Sequence, residues 1–463
     1  MIRLFRVFIP AGTLALLISE ILLVTGSFVL ACYLILQSDP SDYLLYDGGI
    51  KSIGLVVFSI LIGLYLHDLY TDINLKSSVI LLQQLCLVMG IAFLMQGMVS
   101  YVDRDLRIPL RVMATGSFLA MSSIFVWRHI FTHYVVQIVG RERLLMVGNS
   151  PVLVSIAEHI ATHPEKGIAV VGYVGDFPEQ ESSHPGGKVL GPVSSLRDIV
   201  TATRPSHIVV GMYERRNCMP VNELLELRFA GNIIEEAASA YERVCGRVCV
   251  QELRPSQLIY SGELGPRRQT LLLQNLSNFV VAGIGTIVAS PVMLLVALAV
   301  KITSPGPILY RQVRVGLDGT SFTVFKFRSM RADAEAKTGA VWASKDDPRI
   351  TAVGRITRKL RLDELPQMFN VLRGDMSIVG PRPERPEFVK TLSSRIPYYR
   401  QRHCVRPGIT GWAQINYKYS ENLEDTIEKL EYDLFYIKNM SFSLDLYIIF
   451  HTVKTMLLSR GAQ

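Results

Sequence analysis

Charged side chains are scarce in this chain of 463 residues. Asp, Glu, Lys and Arg together make up 19% of it, whereas apolar residues make up 49%. The apolar residues are concentrated in long blocks, and the mean hydropathy of +0.29 is high for a soluble protein. These features argue against a purely soluble globular protein and predict a membrane protein with soluble parts.

Metal and redox motifs are also lacking. Cys245 and Cys249 are too far apart for a C-x-x-C motif, the other cysteines are scattered, and no histidine spacing completes a zinc site. We therefore expect reduced thiols on a cytosolic face. The net charge of +8 suits a phosphate-rich partner or an anionic membrane surface. Nucleic acid is the competing partner, but we expect none because no recognition-helix or zinc-finger pattern is present.

Four apolar blocks in the N-terminal part are each long enough, or nearly so, to cross a bilayer. They fall roughly at 11–36, 50–67, 78–101 and 108–138. The first block lacks a small-residue cleavage site, so we interpret it as an uncleaved span. The loop after it has no Lys or Arg, whereas arginines follow the fourth block, which places both ends in the cytoplasm. We expect Glu20, within the first block, to face the helix bundle rather than to be functional.

The region from about 143 to 250 is predicted to form a small α/β domain. Its β-branched runs RLLMVGN, IAVVGYVGD and HIVVGM are separated by helical or turn segments, which is typical of a parallel sheet. The dinucleotide fingerprint is missing, because Asn-Ser-Pro-Val follows Val147-Gly148 without the glycines that approach a pyrophosphate. We interpret the region as a Rossmann-like module without a nicotinamide cofactor, serving assembly or regulation.

A fifth apolar block runs from Phe279 to Val300 and is interrupted in its middle by Ser290-Pro291. Proline removes a backbone donor and bends a helix. Basic residues flank the block on both sides, which favours both ends on the cytoplasmic face. We predict a re-entrant helical hairpin at about 271–303. The alternative is a kinked fifth transmembrane helix.

An acidic pair, Asp363-Glu364, lies in the segment from Arg358 to Glu384. Adjacent carboxylates suit a site that holds a metal and attacks phosphorus. The local pattern predicts a helix with Asp363 as N-cap, a proline in the first turn and Gly374 at the end. The alternative is that the pair is ordinary helix-start chemistry.

Cations cluster around the acidic pair in three patterns. Lys326 and Arg328 share one face of a predicted strand, where they can bind a diphosphate or lie on a solvated edge. Arginines at 355, 358 and 361 are predicted to form one cationic helix face that binds phosphate or anionic lipid. The proline-rich segment 380–384 is predicted to form a rigid loop that holds Arg382 and Glu384. Together these patterns describe a phosphate site.

Residues from about 270 to 460 resemble the monotopic phosphoglycosyl transferases, also called the bacterial sugar transferase family. The resemblance rests on KFRSM (326–330), DPRIT (347–351), LDELPQMFNVLRGDMSIVGPRP (362–383) and RPGITGWAQIN (406–416). The predicted spans and the Rossmann-like module resemble the large members, which initiate exopolysaccharide or O-antigen assembly. The expected fold is a four-helix transmembrane region at 1–140, a Rossmann-like module at 141–255, and an α/β monotopic catalytic domain at 256–463.

The resemblance implies transfer of a sugar-1-phosphate from a UDP-sugar to undecaprenyl phosphate at the cytoplasmic face of the bacterial inner membrane. Asp363 would attack the β-phosphorus, displace UMP and form an aspartyl-phosphosugar that the lipid phosphate then attacks. Mg²⁺ would neutralise the diphosphate with Asp363 as a ligand, while Glu364 positions the metal or the nucleophile. Phosphate oxygens would be held by Lys326, Arg328 and Arg358. The uridine side would be formed by Pro381, Arg382, Pro383 and Glu384.

Two other functions remain open from the residues alone. The first is a nucleotide-sugar epimerase or dehydratase built on the module at 143–250, which would need the missing glycines and a Tyr-x-x-x-Lys pair. The second is a non-catalytic membrane scaffold, against which the intact acidic pair and its basic surroundings argue. The sequence does not reveal the transferred sugar, and the additional soluble module is compatible with homo-oligomers.

Overall fold

The computed structural model describes most of the chain in several segments. Its contacts divide the chain into two units, residues 1–3 with 8–237 and residues 4–7 with 238–463. The described segments are 2–4, 7–9, 11–36, 40–70, 78–132, 142–175, 183–184, 187–212, 219–250, 252, 268–331, 349–417 and 422–457.

The N-terminal part consists mainly of long apolar helices. After the short strands β1 (Ile2–Leu4) and β2 (Val7–Ile9) come helices α1 (Ala11–Ile35), α2 (Pro40–Leu45), α3 (Gly49–Leu66), α4 (Ser78–Val102) and α5 (Leu110–Ile130). All but α2 are long and apolar enough to cross a membrane. Their close packing is visible at Gly116, where an added Cβ would lie 2.5 Å from the Phe28 ring. The predicted apolar helices are therefore confirmed.

A buried ion pair links α1 to α5. The Arg128 Nε atom lies 2.7 Å from Glu20 Oε1, and the two side chains are 3% and 0% exposed. The expectation that Glu20 faces the bundle is confirmed. Arg128 itself lies inside α5 rather than in the flanking segment, so it contributes less to the orientation argument than its sequence position indicated.

The second part of the first unit is an α/β domain with a mostly parallel sheet. Strands β4 and β7 both pair in parallel with β3, and the sheet order is β5-β6-β4-β3-β7-β8. The parallel sheet predicted from the β-branched runs is confirmed. Its strands are β3 (Glu142–Val147), β4 (Ile168–Val174), β5 (Ser183–His184), β6 (Gly187–Gly191), β7 (His207–Val210) and β8 (Ile233–Glu236). Its helices are α6 (Pro151–Thr162), α7 (Leu196–Thr203) and α8 (Val221–Phe229).

The second unit packs short strands and helices around one long C-terminal helix, α15. The residues Phe435, Tyr436 and Ile437 at its centre are each 1% exposed. The strands are β9 (Leu309–Val315), β10 (Ser321–Phe327), β11 (Ser377–Val379) and β12 (Gly408–Thr410). The helices are α9 (Ala237–Cys245), α10 (Arg268–Thr303), α11 (Ala352–Lys359), α12 (Gln367–Arg373), α13 (Pro386–Arg395), α14 (Trp412–Asn416), α15 (Leu423–Asn439) and α16 (Phe442–Leu457).

Helix α10 contains the predicted proline break but remains helical across it. The Ser290 hydroxyl donates to the Ile287 carbonyl at 2.7 Å, which is the carbonyl four residues before Pro291 that proline cannot bond. Near its start, Asn278 accepts a hydrogen bond from the Ile378 amide, and near its end Val300 packs against Phe327. Both halves of α10 therefore contact the same unit.

Two local predictions around the acidic pair are wrong. Asp363 is not the N-cap of a helix but lies inside a 3₁₀ turn, Leu362–Glu364, and Pro366 occupies the N-cap position of α12. Arg361 does not continue the cationic helix face, because α11 ends before it and Arg361 has a positive φ of 58°. Gly374 ends α12 with a φ of 83°, as predicted.

Candidate active site

The strand that carries Lys326 is fixed to the helix that follows the acidic pair. Asn370 on α12 is fully buried, and its Nδ2 donates to the Thr323 carbonyl at 2.7 Å. The Phe325 amide donates to Asn370 Oδ1 at 3.1 Å. One amide side chain therefore sets the distance between β10 and α12, and with it the distance between Lys326 and the acidic pair.

Glu364 is held by two cations from different elements. Its Oε1 accepts hydrogen bonds from Lys326 Nζ at 2.7 Å and from Arg382 Nη2 at 2.8 Å, and its side chain is 11% exposed. Burial raises the pKa of this carboxyl, but Arg382 and Lys326 outweigh burial and hold it well below its usual range. Glu364 is therefore ionised and immobile, which suits positioning better than nucleophilic attack.

Asp363 differs from its neighbour because its carboxylate accepts no hydrogen bond within the described residues. It is 8% exposed. Burial and the charge of Glu364 raise its pKa, while Lys326, Arg358 and Arg361 act in the opposite direction. A carboxylate that is close to cations but not bonded to them keeps its oxygens available for a phosphorus centre or a metal.

Close backbone packing holds the proline-rich loop at 380–385. A Cβ on Gly408 would lie 2.1 Å from the Gly380 amide nitrogen, so neither glycine tolerates a side chain there. The Gly408 amide donates to the Pro381 carbonyl at 2.9 Å. The glycines of the two motifs therefore serve the contact between the loop and β12. The segment is neither helix nor strand, as predicted.

A buried ion pair holds the same loop through a hydrogen bond to its backbone. Arg402 donates through Nη2 to Asp433 Oδ2 at 2.8 Å and to the Arg382 carbonyl at 3.0 Å. Arg402 and Asp433 are only 7% and 3% exposed. The sequence analysis missed both residues, although a carboxylate inside the apolar run LEYDLFYI is a signal that it needs a buried partner.

A small cleft that is open to solvent lies between β9, β10 and the loop. Arg314 on β9 lines it, donates to the Pro383 carbonyl at 2.9 Å and lies 3.6 Å from Glu384. Sequence reasoning also missed Arg314. The cleft is lined by Arg314, Val324, Lys326, Gln367, Arg382, Pro383 and Gly408. Its cations make it suitable for a diphosphate.

Two predicted phosphate ligands lie outside this cleft. Arg328 follows β10 and donates through Nη2 to the Ser304 carbonyl at 2.7 Å, with no bond to the acidic pair. Arg358 lies on α11, half-buried, and acts on Asp363 through its charge. The structure thus brings together Lys326, Glu364 and Arg382, and separates Arg328 from them. Part of the motif at 347–351 lies outside the described residues.

A metal at the acidic pair would have few protein ligands. No group of three or more His, Cys, Asp or Glu side chains that could hold a metal occurs in the described segments. Mg²⁺ commonly uses one or two carboxylates together with substrate phosphates and water. The available carboxylate of Asp363 beside a cleft for phosphates fits such a site, because the substrate supplies the missing ligands.

Comparisons with known proteins identify the family of this chain. The sequence profile described as bacterial sugar transferase matches residues 269–459. The chain is 45% identical over 222 residues to a UDP-N-acetylgalactosamine-undecaprenyl-phosphate N-acetylgalactosaminephosphotransferase of Aeromonas hydrophila (48% of this chain and 52% of that protein). The chain thus spans about half the length of that relative.

Two proteins named UDP-glucose:undecaprenyl-phosphate glucose-1-phosphate transferase also match. The one from Xanthomonas campestris pv. campestris is 33% identical over 349 residues, which cover 71% of this chain and 69% of that protein. The one from Caulobacter vibrioides is 41% identical over 199 residues, 42% of this chain and 74% of that protein. Together with the profile match, the long alignment to the Xanthomonas protein shows that the chain belongs to the bacterial sugar transferase family.

Proposed function

We propose that this chain transfers a sugar-1-phosphate from a UDP-sugar to undecaprenyl phosphate and releases UMP. The proposal is based on the different hydrogen bonding of the two carboxylates in the acidic pair. Glu364 is held by Lys326 and Arg382, whereas the neighbouring Asp363 carboxylate accepts no hydrogen bond in the described part of the chain. The names of the relatives supply the substrate classes.

The reaction proceeds in two displacements at one phosphorus. An Asp363 carboxylate oxygen attacks the β-phosphorus of the UDP-sugar, and the bond from that phosphorus to the bridging oxygen breaks, so the electron pair leaves with UMP. A phosphate oxygen of the lipid then attacks the aspartyl-phosphosugar, and the bond to Asp363 breaks to regenerate the carboxylate. The covalent step replaces one encounter of two anionic substrates by two separate displacements.

Lys326, Arg382 and Arg314 hold the donor in this proposal. They line the cleft beside the acidic pair, and their charges match the two phosphates of a UDP-sugar. The loop of Pro381, Arg382, Pro383 and Glu384 lies at the uridine side, where Arg402 fixes it through the Arg382 carbonyl. Glu364 keeps Lys326 and Arg382 in place rather than entering the reaction.

Mg²⁺ is the expected cofactor, and Asp363 is the residue that would hold it. A bound Mg²⁺ would neutralise the charge that develops on the diphosphate oxygens. The protein contributes the orientation of Asp363 in its 3₁₀ turn and the exclusion of water by the surrounding Leu362 and Leu365, which pack in an apolar cluster.

We also propose that helix α10 enters one leaflet and does not cross the membrane, whereas α1, α3, α4 and α5 span it. Residues near both ends of α10 contact the second unit, and many of its apolar side chains are exposed, among them Phe279, Ile287 and Leu294 at 65%, 74% and 72%. Exposed apolar surface of this extent is typical of a membrane contact. The catalytic unit then faces the cytoplasm, where UDP-sugars are made, and the product initiates an exopolysaccharide or O-antigen repeat.

The proposal is tested by UMP release from UDP-glucose and UDP-N-acetylgalactosamine with undecaprenyl phosphate and Mg²⁺. Asp363→Asn is expected to abolish UMP release, because an amide is not a nucleophile for phosphorus. The matched control is Asp318→Asn in the turn between β9 and β10, where φ is 53° and Asn is well tolerated. Near-normal turnover by Asp363→Asn, with whichever of the two donors the unmodified protein uses, would contradict the proposal.

A further inference from the structure

Arg328 is a buried cation with unused hydrogen-bonding capacity. It is 4% exposed, and neither its Nε nor its Nη1 atom has a hydrogen-bond partner among the residues that the structure describes. Only Nη2 is used, by the carbonyl of Ser304 at 2.7 Å and the hydroxyl of the same residue at 2.6 Å. A guanidinium offers donors on all three nitrogens, and a buried charge without an anion is unfavourable.

A purely structural role does not account for this arrangement. The bonds to Ser304 cap the end of α10, and they occupy one nitrogen. The remaining N–H groups would then stay unsatisfied in the interior, at a cost of about 1–3 kcal/mol for each unsatisfied group. An anion with several acceptor oxygens would neutralise this charge and accept hydrogen bonds from these N–H groups.

The surroundings of Arg328 indicate what kind of anion belongs there. At the same end of α10, Val296 and Val300 form an apolar cluster with Phe327, and Ile302 is 75% exposed. Helix α11, which packs on the residue after Arg328 through Thr351, exposes 61% of Ile356. Helix α11 also exposes Arg355 and Lys359, so the apolar surface beside Arg328 is that of α10. An anion attached to a hydrocarbon chain suits a cation at the end of such a helix.

Arg328 and Lys326 differ in their contacts with the acidic pair. Leu362 and Leu365, which flank Asp363 and Glu364, pack against the same cluster as Phe327. Lys326, two residues earlier on the strand, faces Glu364 and the donor cleft instead. The 3₁₀ turn of Asp363 thus shares one apolar cluster with the end of the strand that carries Arg328, and its neighbour Glu364 binds the cations of the cleft.

We propose that Arg328 binds the phosphate of the polyprenyl acceptor, and that the acceptor tail follows the exposed apolar side of α10. This assignment rests on the proposed transferase function and divides its site into two phosphate subsites. The donor diphosphate occupies the cleft of Lys326 and Arg382, and the acceptor phosphate approaches Asp363 from the Arg328 side. One carboxylate then serves two anionic substrates in turn without both competing for the same cations.

The kinetic test compares Arg328→Gln with Arg395→Gln in the full chain, the latter on the exposed end of α13. Removing a charge-assisted hydrogen bond is expected to raise the KM for undecaprenyl phosphate about 10-fold or more, because such bonds contribute about 1.5–3 kcal/mol. The KM for the UDP-sugar should differ by less than about 2-fold between Arg328→Gln and the unmodified protein. Arg328→Lys keeps the charge, so its KM for undecaprenyl phosphate should lie between those of the unmodified protein and Arg328→Gln.

A rise in the KM for the donor alone would place Arg328 in the donor site, and no change in either KM would leave it as a helix cap; both results overturn the inference. A binding measurement separates these failures from failure of the transferase function, because it needs no turnover. Farnesyl phosphate in detergent micelles should raise the thermal midpoint of the unmodified protein and not that of Arg328→Gln. An equal shift with inorganic phosphate would assign the site to a free phosphate and also overturn the lipid assignment.

Discussion

The protonation state of Asp363 sets the lower pH limit of the proposed reaction. A protonated carboxyl does not attack phosphorus, so activity falls as the pH drops through the pKa of Asp363. Burial raises that pKa, and the nearby charge of Arg358 lowers it. Arg358→Gln removes the lowering charge, so the acid limb of kcat/KM should move to higher pH.

A matched variant makes this pH prediction specific. Lys359→Gln removes one positive charge from the exposed next position of the same helix, and Lys359 is not among the groups that shift Asp363. Its pH profile should stay close to that of the unmodified protein. The role of Asp363 would be contradicted if Arg358→Gln left the acid limb unchanged or moved it to lower pH.

Variants of the ion pair between Arg402 and Asp433 should affect stability and activity differently. Removing one partner of a buried ion pair leaves an uncompensated charge, so Arg402→Met is expected to destabilise the protein by about 3–5 kcal/mol. The double variant Arg402→Met with Asp433→Leu removes both charges and should recover most of that stability. Activity should not recover, because the Arg382 carbonyl loses its donor in both variants.

Thermal unfolding and donor KM measured on the three proteins test this separation. If packing alone held the loop, the double variant would recover both its stability and its turnover. A selective increase in the donor KM, with a restored unfolding midpoint, identifies Arg402 as a positioning residue for the loop. A KM for the lipid acceptor that stays unchanged serves as the internal reference.

Single residues differ in how well the sequence reveals them. Asp363 and Glu364 were identifiable because an adjacent acidic pair stands out beside cations in a short segment. The bond from Lys326 to Glu364 joins residues 38 positions apart, and that from Arg402 to Asp433 joins residues 31 apart. Such pairs depend on tertiary packing, so a single sequence predicts the residues and not their partners.

At the level of elements, the path of α10 through the membrane can be tested directly. The continuous helix of 36 residues is long enough to span a bilayer, yet residues near both ends pack on the second unit. A helix that crosses the membrane would place its two ends on opposite sides. We therefore expect Gln269 and Thr320, both exposed positions flanking the apolar run, to lie on the same side.

Single cysteines at Gln269 and Thr320 in a cysteine-free background test this directly. Both should resist an impermeant thiol reagent in intact cells and react once the membrane is opened. Labelling of the Thr320 position alone in intact cells would show that α10 crosses. Ser290→Leu with Pro291→Ala restores the backbone donor at position 291 and makes the middle of the run more apolar. Some molecules should then expose the Thr320 position, with loss of activity.

Elements were predicted well where periodicity decides them and poorly where a tight turn does. The apolar helices and the runs of β-branched residues follow directly from their patterns. The start of α12 does not, because Arg361 adopts a left-handed conformation and inserts a 3₁₀ turn before the helix. A positive φ at an arginine has no sequence signature, so the predicted N-cap at Asp363 was wrong.

At the scale of the whole molecule, the start of the catalytic unit is a testable boundary. Sequence composition placed it at 256, whereas contacts assign residues from 238 onward to the second unit. The carboxylate of Glu431, buried on α15, accepts hydrogen bonds from the Tyr241 hydroxyl at 2.8 Å and from the Val250 amide at 3.1 Å. A chain begun at 256 loses both donors.

The effect of Glu431→Gln should therefore differ in size between two versions of the protein. In the chain begun at 238, Gln removes an acceptor that Tyr241 and Val250 use, so the free energy of unfolding should fall by about 1–3 kcal/mol. In the chain begun at 256 these partners are absent, so the same substitution should change the free energy of unfolding much less. Urea unfolding of the four proteins measures both differences. An equal loss of stability in both backgrounds would show that 238–250 does not belong to the folded catalytic unit, because a segment that supplies the partners of Glu431 must change what its carboxylate contributes.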